Sequence, residues 1–362
     1  MTGPVRIGAA IALGALALLV PASAGAQTKG SIQPKIVGGG QVSIAQYPWQ
    51  AAVVYSPSTM SGDAHDRQFC GGSLITSRIV LTAGHCVFDT DPDCVILCSI
   101  NDPGGDGTAK IDPDDVDVVL GRTTLSLPSE GAEVGVTATA YQSNYNGNFR
   151  HHGVPRFDVG YLVLNAPSSQ PQIHIAGTDQ ASLWAPGAPV DISGWGTTSD
   201  SSNATEDILR ATTVNIVSDA TCNSDYGSDF DAATMICAAA DGKDTCTGDS
   251  GGPLQAAIGG GDYRLVGITG WGEGCAEPNA PGVYTRVADS TMRPLIEGDV
   301  ANLESQLDLL PETPGGSGAT TRTTTSKSAA KTAAKKCKRI RDKKKRKRCA
   351  KKAKKKLNQN TA

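Results

Sequence analysis

Short runs in which apolar and polar positions alternate set the pattern of this chain. Trp49–Tyr55 and Val116–Leu120 are of this kind, too short for helices and close to the two-residue period of a strand. Leu74–Leu81 is a longer apolar, strand-like run, and Arg156–Leu164 ends in an apolar, β-branched segment. Among such runs fall 42 glycines and 20 prolines, which favour strands joined by turns over helices. The chain is therefore read as all-β. Paired Greek-key β-barrels fit the pattern, although periodicity alone does not separate them from a sandwich. With 362 residues there is length for one large or two modest domains and a substantial core.

The two ends break the pattern. Residues 1–26 carry Arg6, the apolar stretch Ile7–Val20 and then Pro21-Ala-Ser-Ala-Gly-Ala26, the layout of a cleaved secretory signal. A membrane anchor is the rival reading, but the apolar stretch is too short to span and ends in small residues. At the other end Pro311–Lys327 is rich in Gly, Pro, Ser and Thr, a flexible-linker composition. From Lys331 onward 17 Lys and Arg face Asp342 alone, a net charge of +16. The formal total of −3 thus hides a part carrying −19 and a basic tail of opposite sign. Runs such as Lys343–Arg348 repel themselves and suit disorder or an exposed helix. Three readings of the tail stand open: binding to an anionic surface or polymer, folding back on the acidic part, or plain solvation. It holds no aromatic residue, so recognition of bases by stacking is unsupported.

Ten cysteines in an exported chain read as disulfides. A metal site is the alternative, but no Cys-x-x-Cys pair occurs. Sequence proximity pairs Cys94 with Cys98 and Cys337 with Cys349.

The densest chemistry lies in Asp244-Thr-Cys-Thr-Gly-Asp-Ser-Gly-Gly-Pro253. Glycines around Ser250 let the backbone turn sharply and bring N–H groups to a reacting carbonyl. The same letters could form an ordinary surface turn, so the serine needs partners. A serine hydroxyl becomes a good nucleophile when a base takes its proton and a third group orients that base. Of the histidines 65, 85, 151, 152 and 174, His85 follows a strand-like run, in Leu81-Thr-Ala-Gly-His-Cys86. Asp158 stands at the mouth of an apolar segment, where a buried acid asks for a partner.

In the order His, Asp, Ser these segments resemble the trypsin-like serine proteases of the chymotrypsin fold. Ile36-Val-Gly-Gly39 resembles that family's mature N-terminus, Thr82-Ala-Gly-His-Cys86 its histidine motif and Gly248-Asp-Ser-Gly-Gly-Pro253 its serine motif. Phe157–Leu164 is a looser match to its aspartate motif. The resemblance implies two six-stranded Greek-key β-barrels with a short C-terminal helix over residues 36–300. It also implies an activation propeptide at 27–35, while the composition of the two ends, outside the resemblance, gives a signal at 1–26, a linker at 301–330 and a flexible Lys/Arg-rich tail at 331–362. The implied catalytic residues are His85, Asp158 and Ser250, with the N–H groups of Gly248 and Ser250 as the oxyanion hole. Asp244 and Thr245 fall at the base of the specificity pocket and Gly272 and Gly282 at its walls, an arrangement that implies cleavage after Arg or Lys. Cutting after Lys35 would free the Ile36 amine to pair with Asp249. The implied disulfides are Cys70–Cys86, Cys222–Cys237 and Cys246–Cys275.

The expected function is a secreted, monomeric serine endopeptidase acting on protein or peptide substrates, with no cofactor and no metal. A non-catalytic binding protein on a protease scaffold, acting through its basic tail, is the alternative. One position departs from the family: Gly270 stands where a serine usually adds a hydroxyl donor to the aspartate. Between Cys86 and Val116 the chain is longer than the core needs and rich in Asp (89, 91, 93, 102, 106, 112, 114 and 115). Asp89-Thr-Asp-Pro-Asp93 imitates the start of a calcium loop but has Cys94 at the sixth position and Ile100 at the twelfth. The family's own calcium loop would fall near Gly121–Glu133, where Glu130 and Glu133 are available but Arg122 replaces an expected acid. Asn203-Ala-Thr205 fits the N-glycosylation pattern.

Overall fold

Six strands make a first ring: β1 (Gln50–Tyr55), β2 (Gln68–Leu74), β3 (Ile79–Thr82), β4 (Val116–Leu120), β5 (Ala132–Tyr141) and β6 (Gly160–Leu164). All pairings are antiparallel, in the order β1-β2-β3-β6-β5-β4, and β4 returns to β1 to close a barrel. Six more make a second: β7 (Pro189–Gly194), β8 (Arg210–Val217), β9 (Met235–Ala239), β10 (Pro253–Gly259), β11 (Asp262–Trp271) and β12 (Gly282–Arg286). Their order is β7-β8-β9-β12-β11-β10, and β10 returns to β7. The two rings therefore share one strand order. Closure leaves no open sheet edge within either ring.

This computed structural model describes residues 1, 3, 36–89, 109–147, 154–199, 201–202 and 204–308. The expected signal (apart from residues 1 and 3), the propeptide with Lys35, Cys94, Cys98, Asn203, the linker from residue 309 onward and the tail with Cys337 and Cys349 lie outside the described residues. The chain falls into two compact units, Met1–Ser305 and Gln306–Ala362, and both rings belong to the first.

Alternation explains why these segments became strands. Along β8, Val214 and Ile216 face the second core while Thr213 and Asn215 face outward, the period-two pattern of a sheet with one buried face. β6 is buried throughout, and Leu162 and Leu164 pack with Val53, Leu74, Leu81 and Leu120 in the first core. Each such side chain contributes roughly 1.5–3 kcal/mol on burial. The apolar run Leu74–Leu81 is not one strand. It breaks at Ile75–Arg78, where Thr76 Oγ1 accepts the amides of Arg78 and Ile79 (3.3 and 3.1 Å) and bends the chain into the β2–β3 turn.

The barrels meet through buried polar side chains as well as apolar ones. Trp49 Nε1 donates to Gln255 Oε1 (2.6 Å), Gln255 Nε2 donates to Ser193 Oγ (3.0 Å), and Ser193 Oγ donates to Gln50 Oε1 (2.6 Å). Such bonds fix orientation because leaving one partner unpaired in the interior is costly. A C-terminal helix, Met292–Asp308, begins where Asp289 Oδ1 accepts the amides of Thr291 and Met292 (both 2.9 Å). Its residues Met292, Ile296, Val300 and Leu303, spaced by four, four and three, pack on the first core. Asp299 Oδ2 accepts from the Tyr161 hydroxyl at 2.8 Å.

Candidate active site

His85 sits on a single 3-10 turn, Gly84–Cys86, immediately beyond β3. The Cys70–Cys86 disulfide ties that turn to β2. Asp158, only 3% exposed, lies just before β6 and grips His85 twice. Its Oδ1 accepts the His85 backbone amide (2.8 Å) and its Oδ2 meets Nδ1 (2.7 Å). Such a contact assigns the imidazole proton to Nδ1 and leaves Nε2 as the acceptor in the neutral ring. A Cβ at Gly84 would lie 3.0 Å from Asp158 Oδ1, so a side chain there would crowd the pair. Burial by itself would lower the His85 pKa; the charge of Asp158 and its hydrogen bond outweigh this, and the net shift is upward. The backbone carbonyl of Asp158 accepts from Thr285 Oγ1 (2.9 Å), a residue of the second barrel.

Ser250 belongs to the loop that enters β10. Gly248 (φ +95°) and Gly251 (φ +82°) take left-handed conformations that other residues rarely adopt. Strand β2 holds this loop from the first barrel: Gly71 N donates to Ser250 O (2.7 Å) and Gln68 Nε2 donates to Gly248 O (2.7 Å). Cys86 Sγ lies 3.6 Å from the same Ser250 carbonyl. The serine loop is thus brought against the turn that carries His85.

A cavity of about 210 Å³ opens beside Ser250. Asp244, Thr245, Gly270, Trp271, Gly272 and Gly282 line it, and the Cys246–Cys275 disulfide fastens one wall. Asp244 is 5% exposed. Its Oδ1 accepts the Thr245 amide (2.8 Å) and its Oδ2 the Ala276 amide (3.0 Å). A Cβ at Gly282 would lie 2.7 Å from Asp244 Oδ1, so glycine keeps the carboxylate accessible to the cavity. At Gly270 a Cβ would lie 3.9 Å from Asp158 Oδ2, within reach of a hydroxyl that this chain lacks.

Asp249, next to Ser250, points inward and is 1% exposed. Gly196 N donates to its Oδ1 (2.8 Å) and Cys246 N to its Oδ2 (3.0 Å). Among the described residues no cationic side chain forms an ion pair with it. Desolvation raises its pKa to about 7, against the lowering effect of the two amide bonds and with a smaller upward push from Asp244. Ile36 is fully buried in the second core, and Val37 O accepts from Asp244 N (3.2 Å). Ile36 takes φ +26°, unusual for a β-branched residue.

Residues 36–294 match the family described as Trypsin. The chain belongs to the trypsin family. It is 35% identical to a trypsin of Saccharopolyspora erythraea over 70% of this chain and 93% of that protein. Trypsin-1 of Astacus astacus is also 35% identical, over 70% of this chain and 95% of its own length. Trypsin beta of Drosophila erecta gives 35% over 70% and 85%. As a trypsin-family member the chain is a serine endopeptidase, a hydrolase acting on protein or peptide substrates. No described helix is long and apolar enough to cross a membrane. The three disulfides implied by the resemblance, Cys70–Cys86, Cys222–Cys237 and Cys246–Cys275, are all formed.

Several contacts that build this trypsin-family site carry no signal in the sequence. Gln68 reaches Gly248 across 180 positions. Gly196 is required beside Asp249, where a Cβ would lie 2.5 Å from Oδ2. Arg122 fills the loop Gly121–Glu133 from within: it is 4% exposed, and it donates to Glu130 O (2.8 Å) and Leu125 O (2.9 Å). Glu130 Oε2 turns instead to the amides of Thr123 and Thr124 (2.9 and 3.1 Å), and Glu133 takes a two-pronged bond from Arg67 (both 2.9 Å). The two carboxylates expected to be available are thus engaged by protein donors.

Proposed function

We propose that the chain is a secreted endopeptidase that cuts after Arg or Lys through a Ser250–His85–Asp158 triad and is made as a zymogen activated after Lys35. The observation that carries this reading is one cavity with buried Asp244 and Ser250 both on its wall. A carboxylate in such a slot attracts a long cationic side chain through a charge-assisted hydrogen bond. The glycines at 272 and 282 leave the slot open along its length.

The mechanism is that of the general template for this family. His85 Nε2 takes the proton of Ser250 as its oxygen attacks the peptide carbonyl. Asp158 holds the Nδ1–H tautomer and stabilises the imidazolium that forms. The N–H groups of Gly248 and Ser250 hold the developing oxyanion. His85 then protonates the leaving amine, and water releases the acyl group. The alternative of a non-catalytic binding protein is not favoured, because His85, Asp158 and Ser250 are all present.

Activation follows from Asp249. A buried carboxylate without a counter-charge is unfavourable, and a free Ile36 amine would supply one. The left-handed φ of Ile36 points the same way, since a peptide bond to residue 35 constrains that backbone and a cut releases it. Lys35 matches the proposed specificity, so self-activation is a part of this reading. A Ser250→Ala chain that matured normally without added protease would exclude it.

The proposed layout is a signal at 1–26, a propeptide at 27–35, a protease domain from 36, a linker ending at 330 and a tail at 331–362. The helix Met292–Asp308, with Leu303 packed on the first core, carries the domain past the expected boundary at 300. The tail, at net +16 from Lys331 onward, is assigned to anionic polymers or surfaces outside the cell. Retention on an anionic resin that weakens with salt, and disappears when the chain is truncated after Leu310, supports that assignment; equal retention of both forms refutes it. For the protease, matured protein is given a peptide library with and without a serine-directed covalent inhibitor. Inhibitor-sensitive cuts confined to Arg and Lys are expected. Ser250→Ala should lower the rate by about 10⁶-fold, and undiminished cleavage by that variant would overturn the assignment.

A further inference from the structure

The peptide unit joining Gly248 to Asp249 lies between the two N–H groups assigned to the oxyanion. It is held from both sides. Its N–H, that of Asp249, donates to Cys246 O (3.0 Å), and its carbonyl, that of Gly248, accepts from Gln68 Nε2 (2.7 Å). Gly248 has φ +95° and no side chain to limit rotation about its bonds. A planar peptide next to a glycine can turn over as a unit unless its ends are fixed. Holding this one fixes ψ of Gly248 and φ of Asp249, two of the dihedrals that set the Gly248 amide on one side relative to the Ser250 amide on the other.

Gln68 comes from the opposite barrel, at the first position of β2. It is 8% exposed, and its amide nitrogen also donates to Cys70 O (3.1 Å). Its own Oε1 is buried and meets no hydrogen-bond partner among the described residues. A buried amide that leaves its acceptor unpaired is a poor choice for stability alone. Its donor is spent on two carbonyls, one in the serine loop. Three residues on, Gly71 N grips Ser250 O (2.7 Å), so one strand of the first barrel braces both ends of the segment that carries the donors.

We infer that Gln68 is a positioning residue for the oxyanion hole: by holding the Gly248 carbonyl it keeps the Gly248–Asp249 peptide in the orientation that aims both donors. This rests on the assignment of those amides in the proposed function. Gln68 touches no reacting atom. Its effect belongs to the transition state, because an oxyanion exists there and not in bound substrate.

The test compares matured wild type with Gln68→Met, which keeps the length of the side chain and removes the donor. Three readouts are taken with an arginine-amide substrate: kcat and KM, inhibition by benzamidine, and inhibition by a peptidyl-arginine aldehyde. Benzamidine fills the cationic pocket alone, whereas the aldehyde forms a tetrahedral adduct whose oxygen needs the hole. Removing a direct oxyanion donor costs about 10²–10³ in kcat, so loosening its support should cost about tenfold. The expected result is kcat down about tenfold, aldehyde affinity down by a similar factor, and KM and benzamidine affinity unchanged. A kcat within twofold of wild type overturns the inference. So does a parallel loss of kcat, benzamidine and aldehyde affinity, which would make Gln68 a packing residue only. Should Gln68→Met fail to fold, Gln68→Ala is read by the same criteria. Ser250→Ala is assayed alongside: cleavage surviving that change would sink the catalytic reading itself, whatever Gln68 does.

Discussion

The two barrels share one strand order, yet the two halves of the site that they present are in different electrostatic states. The first barrel carries a finished pair. Asp158 is buried and already meets His85 through two bonds of 2.8 and 2.7 Å, and each group accounts for the other. The second barrel carries an unfinished one. Asp249 is as deeply buried, but it meets two amides and, among the described residues, forms no ion pair with a cationic side chain. Its pKa is pushed up to about 7. Topology is repeated between the barrels while chemistry is not. In our reading the base is ready in the intact chain, and the nucleophile's loop waits for a positive charge from Ile36.

Damage to the finished half should have the greatest consequence. Asp158→Asn keeps the shape but removes the charge that holds the Nδ1–H tautomer, and kcat should fall about 10⁴-fold, the size known for the template. The sign of the pH effect follows from the His85 shift. A base with a raised pKa loses activity as pH falls through that raised value. Removing Asp158 leaves burial to lower it, so the acidic limb of the residual activity should move to lower pH. An unmoved limb would mean that Asp158 does not set the titration of His85.

A smaller effect, on stability, probes the unfinished half. Asp249 has a folded pKa raised from 3.8 to about 7. The folded state therefore holds its proton more tightly than the unfolded state does. This contribution is fully present below about pH 4 and is lost as pH rises toward 7. The uncut chain should lose on the order of a few kcal/mol across that window through this group. Uncut Asp249→Asn should lack that slope and melt higher at pH 8. If denaturant titrations of the uncut wild type and variant run parallel from pH 4 to 8, Asp249 is not an uncompensated charge in the uncut chain.

The mildest change adds to the finished half what this chain omits. Gly270→Ser would place a hydroxyl near Asp158 Oδ2, since a Cβ there lies 3.9 Å from it and 3.0 Å from Val283 O. One added hydrogen bond to a charged group should raise kcat a few-fold, on the order of 1 kcal/mol, if Val283 gives slightly. Unchanged or reduced kcat in a normally folded variant would show that the aspartate is already saturated.

Much of this contrast is legible in the sequence, for a physical reason. Strand Val116–Leu120 appears with the ends its pattern predicts, and Trp49–Tyr55 loses only its first residue. The site motifs are legible because each lies on one contiguous stretch: His85 beside Cys86, Asp249 beside Ser250. Leu74–Leu81 misleads because its Thr76-Ser-Arg78 centre folds back through a side-chain bond that periodicity does not register. Gln68 on Gly248, Arg67 on Glu133 and Gly196 against Asp249 join residues 180, 66 and 53 positions apart. Only the closure of both barrels brings them together, and no local pattern encodes it.

In our account the second half of the site depends on a cut that the first half does not need. That dependence is read from the rate at which an arginine-directed phosphonate labels Ser250 in a Lys35→Gln chain, which resists the cut, and in matured protein. Labelling should be slower by on the order of 10³-fold in the uncut chain, the scale of a missing oxyanion hole. Equal labelling rates in the two forms would contradict the dependence.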